Sequence, residues 1–111
     1  MPWLVRDGEV LASLEVATSR RDRRRGLIGR DGFEGALLLR PCASIHTAFM
    51  RFDLDVAFCD ERLRVLETVR MRRWRVGRPR PGARAVLEAE AGAFERWRLR
   101  PGDRLEVKGE T

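Results

Sequence analysis

Tyrosine is missing from this 111-residue chain, histidine occurs once (His46), cysteine twice (Cys42 and Cys59), and of 23 basic residues only Lys108 is a lysine. Each scarcity closes something off. One histidine leaves no second imidazole for a blue-copper site, and without a CxxC pair there is no recurring zinc-ligand spacing. No uncharged apolar run approaches the ~18 residues that a membrane helix needs, so no membrane partner is expected. The N-terminal "MPWLVRDGEV" lacks the basic start, apolar centre and small-residue cleavage site of a signal peptide. The expectation is a cytoplasmic protein with reduced thiols.

What is present describes a globular chain. Hydrophobic residues make up 43% of it, and residues 1–111 form a single domain large enough for its own core. The net charge of +6 invites a nucleic-acid reading. However, arginine at almost every basic position, with abundant Ala and Gly, reads as GC-rich codon usage more than as selection for phosphate contacts. The acidic residues are also spread along the chain.

The hydrophobic pattern is mainly that of strands. "WLVRDGEVLASLEVA" predicts a hairpin turning at Asp7-Gly8. "ATSRRDRRRGLIG" predicts a short helix over 19–27, capped by Thr18 or Ser19, stopped by glycine and docked through Leu27 and Ile28. "GALLL" is short enough to be a buried strand. "FDLDVAFCD" alternates, with Leu54, Val56 and Phe58 on one face and Asp55, Ala57 and Cys59 on the other. "RLRVLETVRMRRW" and "RAVLEAEAG" are further strands, separated by a Pro/Gly loop over 75–83. Residues 92–98 allow a helical turn, and "RPGDRLEV" is a Pro-Gly turn feeding a last strand. Six to eight short strands with one early helix predict a small β-barrel or sandwich.

The order of these segments carries a resemblance. "ATSRRDRRRGLIGR", "GALLL", "IHTAFMRFDLDVAFCD", "AVLEAEAG" and "RPGDRLEV" together resemble the uncharacterised bacterial and archaeal family known as domain of unknown function 192, over about residues 10–108. The resemblance implies a small β-rich fold and no established activity. It places Gly26, Leu27, Arg30, Asp55, Leu87, Glu88, Gly92, Gly102 and Asp103 on family motif positions. His46-Thr47 and Met50 stand where many members carry a Trp-Met pair followed by Lys-Asn-Thr, which is similar to a His-Thr subgroup. Asp53 replaces a usual proline and Ile28 a usual methionine.

Candidate chemistry centres on "PCASIHTAFM". Cys42, His46 and Met50, spaced four apart, offer soft ligands of a kind suited to Cu(I), but without a second histidine no metal and no cofactor are assigned. As a nucleophile, Cys42 would sit about 13 Å from His46 along an extended strand, out of hydrogen-bond reach. An enzyme of unassigned class is therefore the third reading. If both faces of its strand are covered, Asp55 must be paired or hydrogen-bonded. Arg30 is the expected partner, with the amides of the Gly26–Gly29 turn as the other option. A structural tie is the plain reading of that pair. The functional reading gathers Arg30, His46, Thr47 and Asp55 around a pocket for a small polar or anionic ligand, lined by Cys42 and Met50. The alternative is weak single-stranded nucleic-acid binding through the basic 70–84 loop, where Arg72, Arg73 and Arg75 surround Trp74.

Overall fold

The structure, a computed structural model, describes residues 2–45, 47 and 50–109. Among these residues the elements are β1 (Trp3–Arg6), β2 (Glu9–Ala17), α1 (Arg20–Arg25), β3 (Ala36–Leu39), β4 (Leu54–Cys59), β5 (Val65–Met71), β6 (Ala85–Glu90), α2 (Ala93–Trp97) and β7 (Leu105–Lys108). All the strands belong to one sheet in the order β5-β4-β6-β3-β2-β1-β7. β2 and β3 are parallel, and the other neighbouring pairs are antiparallel. The fold is mainly β, as expected, but the sheet does not close into a barrel. Its edge strands meet through one bridge, Arg64 with Arg104, flanked by Val65 N–H donating to Asp103 O at 2.8 Å and Leu105 N–H to Leu63 O at 3.0 Å. These contacts involve only the start of β5 and the approach to β7, so the remainder of each edge is left unzipped. No helix of the described residues is long and apolar enough to cross a membrane.

Local chemistry explains the elements. Asp7 and Gly8 both take positive φ, 51° and 80°, the left-handed pair that a two-residue hairpin needs. Every residue of β3 and β4 is buried, as befits inner strands covered on both faces. The alternation along β4 divides the interior. Ala57 and Cys59 join Leu4, Leu14, Leu87 and Phe94 on one side, while Leu54, Val56 and Phe58 join Leu27, Leu37, Leu39 and Met50 on the other. Helix α1 falls inside the expected window. Ser19 Oγ accepts the Asp22 N–H at 3.0 Å, and Gly26 closes the helix. None of its own residues is buried, so Leu27, immediately after it, does the docking.

Asp55 is paired, though not by Arg30. Helix α2 opens at Gly92, which has no side chain to cap it. Asp55 caps it instead from β4: Oδ2 accepts the N–H groups of Gly92 at 2.9 Å and Phe94 at 3.1 Å, and Oδ1 accepts Arg70 Nε at 3.1 Å. Arg30 forms a two-pronged ion pair with Glu15 at 2.9 and 3.1 Å and lies over the Phe33 ring. The reason is the pleat. Leu27 packs on the face that carries Leu54, Val56 and Phe58, whereas Asp55 shares the face of Ala57 and Cys59, under α2. Replacing Asp55 with Ala strands two amides and should cost about 2–4 kcal/mol in urea unfolding, while Arg30→Ala, which breaks a half-exposed pair, should cost under about 1 kcal/mol.

Candidate functional site

The segment 42–47 runs beside 74–84 through backbone bonds outside the named strands. Cys42 N–H donates to Arg84 O at 2.9 Å, Gly77 N–H to Ile45 O at 2.7 Å, Thr47 N–H to Arg75 O at 2.7 Å, and Trp74 N–H to Thr47 O at 2.9 Å. The approach is close enough that a Cβ on Gly77 would stand 2.8 Å from the Ile45 carbonyl oxygen. Thr47, fully buried, completes the seam. Its Oγ1 donates to Arg72 O at 2.6 Å and accepts Arg75 N–H at 2.7 Å. Thr47 is therefore a fastener for the 72–75 backbone, with its hydroxyl already engaged.

The residues chosen from the sequence thus scatter. Arg30 serves Glu15, Asp55 serves α2, and Thr47 serves the basic loop. His46 lies outside the described residues. Met50 is buried against Leu27 and Leu54, in the cluster that Cys42 flanks. The Cys42 thiol donates to Ser44 O at 3.1 Å, and burial pushes its pKa up, an effect that a charged Glu88 would reinforce. A protonated thiol is a poor nucleophile. Among the described residues, no group of three or more His, Cys, Asp or Glu is placed to hold a metal ion.

A different carboxyl comes to the fore. Glu88 lies on β6 between Val56 of β4 and Leu37 of β3, facing the core that Leu27 and Met50 complete. It is 3% exposed, and its Oε1 has no hydrogen-bond partner among the described residues. Burial raises its pKa to about 8. Gly26, at φ 51°, lies directly over it, and a Cβ there would stand 3.2 Å from Oε1. Glu88 forms part of the lining of a cavity of about 480 Å³ between α1, the end of β3 and residues Ser44, Ile45 and Met50. The cavity's walls are Leu27, Ile28, Leu39, Ile45 and Met50, and Arg20, Arg23, Arg24 and Arg25 of α1 also border it. In the sequence, Gly26 and Glu88 stand out only as motif positions, and the alternation of "AVLEAE" reads equally well as a strand with a solvated acidic face.

The nucleic-acid candidates stand on another part of the surface. Arg72, Arg73, Trp74 and Arg75 are all exposed, Trp74 by 59% and with a left-handed φ of 64°. Arg73 Nε lies 3.6 Å from Asp53 Oδ1.

A family model for domain of unknown function 192, described as an uncharacterized ACR, matches residues 3–107. A UPF0127 protein of Thermococcus gammatolerans is 34% identical over 96 residues, which cover 81% of this chain and 63% of that protein. The UPF0127 protein of Pyrococcus horikoshii is 35% identical over 63 residues, 57% of this chain and 55% of that protein. The chain thus spans less than two thirds of either relative's length. A solved protein of unknown function from Novosphingobium aromaticivorans DSM 12444 superposes with a TM-score of 0.80 at 22% identity, covering 95% of this chain and 82% of that one. A Sinorhizobium meliloti 1021 chain, described as a candidate transcription regulator, gives 0.79 at 19%, covering 96% and 91%. At these identities the likeness is one of fold.

The raised Glu88 pKa has a sign that stability measurements can read. Between its ordinary value of 4.5 and about 8, the folded protein holds a proton that the unfolded chain releases. Stability should therefore fall as pH rises through that window, by up to about 1.4 kcal/mol per unit, and show no such contribution below it. Urea unfolding of Glu88→Gln should lack this slope; identical pH profiles for the two proteins would refute the assignment.

Proposed function

This chain belongs to the domain of unknown function 192 family, and we propose that it is a small-ligand-binding module whose ligand enters the cavity beside Glu88. The observation that carries this reading is the unpartnered oxygen of a buried carboxyl opening on a concave site. Such a group costs stability, and a packed apolar side chain would cost none. Natural cores rarely keep one without a use. The cavity's volume lies within the range of small-molecule sites, and its apolar walls with a single polar group at depth match their usual make-up. Met50 lines this cavity, and the reading centres on Glu88 in place of Asp55. Free Cys42 and Cys59 support a cytoplasmic setting as part of the same reading.

A thermal-shift panel of small carboxylates, phosphates and polyols tests the proposal. At saturating concentration a true ligand should raise Tm by several degrees, because a hundredfold excess over Kd contributes about 2.7 kcal/mol. Met50→Trp, which fills the cavity, should abolish the shift. A panel that leaves Tm unmoved in both proteins counts against a ligand site.

The exposure of Trp74 among three exposed arginines favours a second reading, single-stranded nucleic-acid binding through the 70–84 loop. An aromatic face beside guanidinium groups can stack on bases of any sequence while meeting their phosphates. Titration of an unstructured oligonucleotide should show binding at low salt that weakens steeply as salt is added. Trp74→Ala should reduce it at least fivefold, and no binding even at low salt disposes of this reading.

A further inference from the structure

We infer that the cavity takes a small organic anion with two acceptor ends, one held by the arginines of α1 and the other receiving a hydrogen bond from the Glu88 carboxyl. The inference rests on the cavity being a ligand site and adds the class of ligand and the proton that goes with it.

Three features converge on that class. Arg20, Arg23, Arg24 and Arg25 all border the cavity, and among the described residues none of them forms an ion pair. They bring an uncompensated positive field to a site with apolar walls, where field lines are poorly screened. A cationic ligand would be repelled there, although the carboxylate form of Glu88 would welcome one. At the buried end, Glu88 stands between Leu37 and Val56 and shares the cavity lining with Leu39 and Met50, and among the described residues it forms no ion pair. Burial raises its pKa, which favours the neutral carboxyl. A neutral carboxyl carries one O–H donor. An unpartnered donor at depth calls for an acceptor, and a carboxylate or carbonyl oxygen provides one. Leu27, Ile28 and Ile45 line the same cavity, and apolar walls of this kind suit a short hydrocarbon link.

Linear dicarboxylates of five to nine carbons are the natural probes, set against monocarboxylates and diamines of equal length. Isothermal titration at pH 7 should find at least one dicarboxylate binding tenfold or more tightly than its monocarboxylate, with no heat from the diamine. Above pH 8 the affinity should fall about tenfold per pH unit, because the bound state needs a proton that the free protein has lost. Titration at pH 9 in buffers of different ionisation enthalpy should then show about one proton taken up per ligand.

Glu88→Gln, which keeps the volume, should lose both the proton uptake and the pH dependence. Arg20→Glu with Arg24→Glu, both at exposed positions, should weaken binding at least tenfold and leave the proton uptake unchanged. A dicarboxylate that binds with no proton uptake, or a diamine that binds better, overturns this inference and leaves the ligand-site reading standing. Silence from all three series also overturns it, and the ligand-site reading then rests on the thermal-shift panel with its filled-cavity control.

Discussion

Burial of the inner strands on both faces is the constraint from which the rest of the molecule follows. β3 and β4 contribute no exposed residue, and β6 only its last. A polar side chain on such strands has no water to turn to, so each one demands a fixed partner or carries a free-energy cost. Two acids test the rule and receive opposite answers. Asp55 meets three donors and ties α2 to the sheet. Glu88, on the other face, has one oxygen unmet. The first acid is part of the architecture, while the second lines the cavity beside α1.

The cavity lies where the ends of regular elements meet irregular chain. On one side stands the six-residue helix α1, held through Leu27; on the other lies the 42–47 segment, held by backbone bonds to 74–84. Thr47 stands at the junction of that seam with the arginine-rich loop. Such an arrangement sets loop segments beside a sheet that holds them in place. It also ties the two proposed surfaces together physically. The Thr47 hydroxyl, which holds Arg72 O and Arg75 N–H on either side of Trp74, lies in sequence between the cavity-lining Ile45 and Met50.

Much of the fold was legible because the signals were local. Asp7-Gly8 announced the hairpin, Ser19 the start of α1, and the period of two along "LDVAFC" the division of β4 between two cores. Closure was not legible. Whether the two edges of a sheet zip together depends on how far the start of β5 and the approach to β7 run side by side, and no local pattern encodes that. The site was half legible. Asp55 was rightly read as needing partners, but Arg30 was the wrong one, since one residue of pleat puts Asp55 on the face away from Leu27. Glu88 and Gly26 were visible as motif positions without any sign that they touch.

By itself the sequence determined the strand-rich class, the order of elements, the single domain and the burial of the apolar runs, because period, turn chemistry and capping act over a few residues. The tertiary structure alone decided which polar groups meet. It gave Asp55 to Gly92, Phe94 and Arg70, gave Arg30 to Glu15, and left Glu88 beneath Gly26 with an oxygen unanswered. Those pairings join residues as far as 62 positions apart, such as Gly26 and Glu88. Their energies depend on burial and distance in space, which only the packed sheet defines.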